Sequence, residues 1–318
     1  MSRTMRLVAR TIRGLESLCA QEIYDVCHCR IELLRHREVI VTTRRLTPDL
    51  LTLRTADDLF VVAAVVHGVD RTKHSLSRLR AAVDHADLHR VTGAASLVGG
   101  RRSRRIDVSA SFVGKRNYSR YDIEDVVGDA LVRQLGVTYH SRAAGRKPPP
   151  DTTSWRVTIE ETTAVVGIRL ASRPFHRRAW KRASIPGTLH PPVAAAMAKL
   201  ARLRPGDRVL DACCGAGTLL GEAASLVPGL ALVGSDGSPR SLDAARADVA
   251  GMGEHVPCRW ILADAGSLPL ADCTVDRILV NPPWQGQVPA QSPERHGPTV
   301  VRSGARPAPG RDPGGPQP

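Results

Sequence analysis

The stretch Arg208-Val-Leu-Asp211-Ala-Cys-Cys-Gly215-Ala-Gly217-Thr218 sets a short apolar run, a carboxylate and two glycines directly ahead of an apolar helical pattern from Thr218 to Leu226. Glycines at 215 and 217 allow a tight turn and close backbone approach to a ligand, and the helix start behind them offers free N–H groups. A phosphate-binding loop is excluded because no Gly-Lys-Ser/Thr follows. The third glycine, Gly221, stands one residue late for the dinucleotide fingerprint. Working outward, Pro191-Pro192 opens a helix with Val193, Met197 and Leu200 on one stripe. Strand and helix patterns then alternate: Arg208 to Asp211, Thr218 to Leu226, Leu230 to Ser235, Pro239 to Ala250, Cys258 to Leu262 and Val275 to Val280. Such alternation predicts a parallel, doubly wound α/β sheet.

Ligands of such sheets lie beyond the carboxyl ends of the strands, and three carboxylates fall there. Asp211 ends the first strand. Asp236, nineteen residues after Gly217, ends the second, where it either accepts both hydroxyls of a ribose or caps the Pro239 helix. Asp264-Ala265 follows the third, where the carboxylate either accepts from an exocyclic amine or serves a turn.

The fourth strand runs into Asn281-Pro282-Pro283-Trp284. The prolines fix φ and remove N–H groups, and Pro282 holds Asn281 extended, so carbonyls are the exposed polar groups. An arylamine nitrogen is a poor nucleophile because its lone pair is delocalised into the ring. Two acceptors on its two hydrogens restore sp³ character and aim the lone pair, and the Asn281 side-chain oxygen and the Pro282 carbonyl are such acceptors. Trp284 offers a face on which a base can stack, typically worth ~1–3 kcal/mol.

Upstream, Gly14 to Tyr24 reads as an amphipathic helix, Glu38 to Thr43 and Leu59 to Val66 as strands, and Leu46 to Asp58 as a helical stretch between them. Ile106 to Phe112 alternates as a strand and Tyr121 to Leu135 follows as a helix. Trp155 to Glu160 and Ala164 to Leu170 form a hairpin about Glu161-Thr162-Thr163. A basic connector, His176 to Arg182, leads to the second half.

The chain has 318 residues, a length for about two domains. Its net charge is +14, and only five of its 45 cations are lysines. Arginine-rich positive charge points to a nucleic-acid partner. Candidate RNA contacts are Arg101, Arg102, Arg104 and Arg105, then Lys115, Arg116, Tyr118 and Arg120, and on the connector Arg177, Arg178 and Lys181. The longest apolar run, Leu59 to Val66, is too short to span a bilayer, and no apolar segment backs the N-terminal arginines, so a cytoplasmic protein without membrane or secretory signal is expected. Seven cysteines form no disulfide framework, and Cys27-His28-Cys29 has no second ligand pair at zinc spacing, so no metal is expected. Residues 285–318 hold 8 Pro and 6 Gly and no Leu, Ile or aromatic residue, a composition expected to be disordered.

Together the Asp211-x-x-x-Gly215-x-Gly217 loop, Asp236, Asp264 and the Asn281-Pro-Pro-Trp284 tetrad resemble the class I S-adenosylmethionine-dependent methyltransferases that act on exocyclic amines. The upstream part resembles the THUMP RNA-binding domain with its ferredoxin-like partner, as found in guanine-N2 methyltransferases of tRNA and ribosomal RNA. The strings that carry this are Arg13-Gly-Leu-Glu16 with Gln21-Glu22, Arg116-Asn-Tyr118-Ser-Arg120-Tyr-Asp122 with Gly128, Val165-Val-Gly167-Ile-Arg-Leu170 and His176-Arg-Arg178. The chain departs from the family at Ala212 and Cys213, where Pro and an aromatic residue are usual.

The resemblance implies a ferredoxin-like domain over 1–60, a THUMP domain over 61–172, a basic connector over 173–190 and a Rossmann-like methyltransferase domain over 191–284. It implies S-adenosylmethionine as cofactor, with Asp211, Gly215 and Gly217 at its methionine and ribose end, Asp236 on the ribose diol, and Asp264 and Ala265 at the adenine. Asn281, Pro282, Pro283 and Trp284 would hold a target guanine, most readily of tRNA. The family sheet continues with three more strands, where this chain has its Pro/Gly-rich tail. That is the mark expected of a truncated or frame-shifted version. A catalytically silent RNA-binding protein is therefore a second expectation, and an adenine-N6 or protein-glutamine methyltransferase a third.

Overall fold

The computed structural model describes residues 4–99, 103–253 and 256–282, which divide between two units, Met1–Arg177 and Arg178–Pro318. The Pro/Gly-rich tail expected to be disordered lies outside the described residues.

In the first unit the elements run β1 (Met5–Arg10), α1 (Glu16–Cys27), β2 (Arg30–Arg35), β3 (Glu38–Thr43), β4 (Asp58–Val66), α2 (Leu76–Asp84), α3 (Leu88–Val98), β5 (Arg105–Phe112), α4 (Arg120–Leu135), β6 (Thr138–His140), β7 (Thr153–Glu160) and β8 (Thr163–Arg169). The eight strands make one sheet in the order β2-β3-β1-β4-β8-β7-β5-β6. Strand alternation puts Leu7, Val39, Leu59, Val61, Val108, Trp155, Val157 and Val166 into one core with the buried faces of the helices. Local chemistry sets the helix ends. Ser119 and Asp122 form a reciprocal capping box on α4, and Gly136, at φ +63°, closes it. Gly128 on α4 has no room for a side chain, because the Tyr139 ring lies 2.7 Å from where its Cβ would be.

Two expectations change here. Leu46 to Asp58 is not a helix. Only Pro48–Leu51 makes a 3₁₀ turn, and the N–H groups of Arg54 and Thr55 donate to the buried Glu22 carboxylate of α1 (3.1 and 2.7 Å) instead of to a preceding turn. The expected division at residue 60 falls inside β4, whose Val61 pairs with Leu7 of β1 on one side and Ile168 of β8 on the other, so the sheet is continuous across it.

The second unit contains α5 (Pro191–Leu200), β9 (Arg208–Asp211), α6 (Thr218–Leu226), β10 (Ala231–Asp236), α7 (Pro239–Ala250), β11 (Cys258–Leu262) and β12 (Arg277–Ile278). Its strands are all parallel, in the order β11-β10-β9-β12, as the alternation predicted. One face packs Val209, Leu232, Leu219, Leu220, Leu242 and Ala245 together, and the other gathers Leu210, Ala212, Val233 and Ile261. Strand β12 is shorter than its apolar run, although bonds from Asp276 N to Arg208 O and from Leu279 N to Leu210 O extend its pairing by a residue each way. This unit begins at Arg178, so much of the expected connector belongs to it.

Candidate active site

Chain order turns back on itself between β9 and β12. From β9 the sheet grows through β10 and β11 on one side, then the chain crosses to place β12 on the other. A crevice beyond the carboxyl ends of β9 and β12 is the place where such sheets bind ligands. An open cleft lies there, lined by Asp211, Cys213 to Ala216, Thr218, Leu219, Ile185 to Leu189 and Asn281.

The glycines make the tight turn that the sequence predicts. Gly215 and Gly217 have φ of +52° and +71°, which turn the chain from β9 into α6 with Gly217 as N-cap. Gly217 also lies against α7, where an added Cβ would meet that of Ala245 at 3.1 Å. Gly221 belongs to packing instead, with the Trp180 ring 2.6 Å from where its Cβ would be.

Asp236 bridges two loops: its Oδ2 accepts from Gly215 N (2.9 Å) and its Oδ1 from Ser238 N (2.9 Å). The N-cap of α7 is Ser238, not Asp236, which removes the capping alternative. Asp264 is exposed and turns its own loop by accepting from Gly266 N (2.7 Å), and Ala265 packs against the Leu210 face. Neither lines the cleft that holds Asp211 and Asn281. Pro282 is exposed just past Asn281, and Pro283 and Trp284 lie outside the described residues.

The site is electronegative. Burial pushes the Asp211 carboxyl up to about 7, the charge of Asp236 adds to this, and the N–H of Cys213 opposes it. Burial also pushes the Cys213 thiol up to about 11, with the charges of Asp211, Asp236 and Asp264 all adding. Three carboxylates thus act on one point of the loop, a field that favours a cationic ligand. Thr218, at the start of α6, is buried on the cleft wall with its hydroxyl unpartnered, a group suited to a polar ligand. These residues fit S-adenosylmethionine, which carries a sulfonium, an ammonium and a carboxylate. Sequence reading missed Thr218 and the Ile185-Pro-Gly-Thr-Leu189 wall. A signal was present in the Pro186-Gly187 turn, which the Thr188 hydroxyl locks by accepting from Ile185 N and donating to Ile185 O.

The candidate RNA contacts divide sharply. Arg104, Lys115, Arg120 and Arg177 are exposed, and Arg105 is exposed beside Asp151. Arg101 and Arg102 lie outside the described residues. Four others are structural. Arg116 donates to the carbonyls of Val69, Asp70 and Glu161, and the buried Tyr118 donates to Asp70 O (2.8 Å), so this pair ties three loops together. Arg178 is buried on Glu222 (2.7 Å) and Lys181 on Asp248 (2.9 Å). Both cations are paired with buried carboxylates of the second unit.

Residues 178–292 match the family model UPF0020, described as an RMKL-like methyltransferase domain. A tRNA (guanine(6)-N2)-methyltransferase of Thermus thermophilus is 36% identical over 177 residues, 55% of this chain and 50% of that protein. A U6 snRNA (guanine-N(2))-methyltransferase of Bos taurus is 29% identical over 57% of this chain and 34% of its own length. The chain spans about half the length of the first curated relatives it matches. Among solved structures, TrmN from Thermus thermophilus superposes with a TM-score of 0.69 at 31% identity, over 88% of this chain and 79% of that one. With the 3-2-1-4 strand order, the glycine turn after the first strand and a solved relative aligned along most of both chains, the chain belongs to the family of RMKL-like methyltransferase-domain proteins.

Proposed function

We propose that this chain is a cytoplasmic S-adenosylmethionine-dependent RNA methyltransferase that methylates the exocyclic N2 of a guanosine, with tRNA as the substrate class. One observation carries the reading: Asn281 lines the same cleft as Asp211 and Gly215, at the crevice between β9 and β12. When bound, the cofactor supplies an electrophilic methyl on a sulfonium. Asp211 and Asp236 would favour its positive charge, Asp236 and the Gly215 turn would hold its ribose end, and Thr218 would bind a polar group. Asp264 and Ala265, outside the cleft lining, would serve an adenine that extends past it toward β11.

The Asn281 side-chain oxygen and the Pro282 carbonyl would accept the two hydrogens of the guanine amine and so localise its lone pair on nitrogen. Asparagine is no base, so the proton leaves the amine to water. Pro283 would bring no N–H of its own to compete, and Trp284 would offer its ring to the base. RNA is held by the exposed cations Arg104, Arg105, Lys115, Arg120 and Arg177. Among the described residues, no helix is long and apolar enough to cross a membrane.

The test is incubation of the chain with methyl-labelled S-adenosylmethionine and unmodified tRNA, with U6 snRNA in parallel, followed by digestion and mass spectrometry. Labelled N2-methylguanosine from tRNA is expected. Label only in U6 snRNA changes the substrate, and no label from protein that binds tRNA replaces the reading with that of a silent RNA binder.

A further inference from the structure

We infer that residues 178–183 form a strap whose seat on α6 and α7 sets the cofactor affinity of the cleft, with Asp248 as its positioning residue. This rests on the reading that the cleft holds S-adenosylmethionine. Asp248 is fully buried on α7. Its Oδ1 accepts the backbone N–H groups of Arg182 (2.6 Å) and Ala183 (2.7 Å), and its Oδ2 accepts from Lys181 Nζ (2.9 Å). At the other end of the strap Arg178 binds the buried Glu222 of α6. Between them Trp180 is wedged. Its ring lies 2.6 Å from where a Cβ on Gly221 would be, and its carbonyl oxygen 2.6 Å from where one on Gly251 would be.

The two helices that seat the strap are those that frame the cofactor loops. Helix α6 starts directly after Gly217, and α7 starts just beyond Asp236. The strap runs on, two residues after Ala183, into Ile185 to Leu189, the wall of the cleft. Ile185 Cδ1 comes within 3.7 Å of where a Cβ on Gly215 would stand. A buried ion pair is weak evidence for stability, because a well-packed apolar pair does as well. What an apolar residue cannot do is accept two main-chain N–H groups. Those two bonds fix the path of the chain and not only a side chain, and so place the wall against the Gly215 loop.

The experiment measures S-adenosylhomocysteine binding by calorimetry together with amide hydrogen exchange, in the full chain and in three variants. In Asp248→Ala the amides of Arg182, Ala183, Ile185 and Thr188 should exchange about tenfold faster while those of Leu210 and Val233 keep their protection. The dissociation constant should rise about tenfold. Asp248→Asn, whose carbonyl oxygen still accepts both amides although its NH2 no longer accepts from Lys181 Nζ, should lose less affinity than Asp248→Ala and keep the Arg182 and Ala183 amides protected. Gly251→Ala, which displaces the strap without touching a carboxylate, should repeat the loss seen in Asp248→Ala. Faster exchange in the strap with unchanged affinity overturns the inference, and so does a loss of protection spread equally over Leu210 and Val233. A parent chain that binds no S-adenosylhomocysteine overturns the cofactor reading itself and the strap's role in affinity with it.

Discussion

Asp236 accepts the backbone N–H of Gly215 at 2.9 Å, so the carboxylate at the end of one strand fixes the glycine turn at the end of its neighbour. Asp236 therefore shapes the loop, and on the proposed reading its remaining acceptor capacity, out of about four positions, serves the ribose hydroxyls. Asp236→Ala removes both. S-adenosylhomocysteine affinity should fall about 10–100-fold, the equivalent of one or two charge-assisted hydrogen bonds. Calorimetry on the variant checks this, and affinity within about twofold of the parent would remove Asp236 from the site.

Asp211 makes the stability of the second unit depend on pH. Its folded-state value of about 7 lies above the ordinary 3.8, so between these values the folded chain holds a proton that the unfolded chain has released. Stability from this group is full below about pH 4, declines as pH rises to about 7, and is level above. Asp211→Asn keeps an acceptor for Cys213 N and carries no charge. It should match the parent near pH 4 and melt at a higher temperature than the parent at pH 8, while losing affinity for a cationic ligand. Thermal unfolding at both pH values, with and without S-adenosylmethionine, tests both halves.

The second unit was the more legible half for a physical reason. In a parallel sheet covered on both faces each strand is a short apolar run and each turn is marked by Gly, Asp or Pro. β9, α6, α7 and β11 accordingly stand where the pattern put them. The first unit was harder. β1 and β2 mix arginines with apolar residues along their length, which blurs alternation. Helices α2 and α3 bury Leu76, Leu79 and Val83 and Leu88, Val91 and Val98 at regular helical spacing, yet went unpredicted. Leu46 to Asp58 misled because its fold is dictated by Glu22, a carboxylate more than twenty residues away in sequence. Charge misled similarly: Arg116, Arg178 and Lys181 have the composition of an RNA surface, and only their partners, three carbonyls and two buried carboxylates, show them to be structural.

Asn281 separates binding from chemistry. It follows β12 and lines the cleft, whereas Asp211 and Asp236, the carboxylates proposed for the cofactor, end β9 and β10. Asn281→Ala should therefore bind S-adenosylhomocysteine within about threefold of the parent and retain tRNA binding. Its methyl-transfer rate should fall about 10²–10³-fold, the usual cost of removing a preorganised polar group from a reacting centre. Single-turnover labelling measures the step, and a loss below about tenfold would remove Asn281 from the reaction.

Neighbouring cations in the first unit should behave oppositely. Lys115 is exposed, so Lys115→Ala should leave the melting temperature alone and reduce the salt dependence of tRNA binding by about one unit of log–log slope for a lost phosphate contact. Arg116 donates to Val69 O, Asp70 O and Glu161 O, and its loss leaves three carbonyls without their cation. Arg116→Ala should destabilise the unit by about 2–3 kcal/mol while the salt slope of the folded protein is unchanged. Thermal melts beside binding titrations at several salt concentrations distinguish the two. A shallower slope for Arg116→Ala with an unshifted melt would return that arginine to the RNA surface and take it out of the loop-tying role.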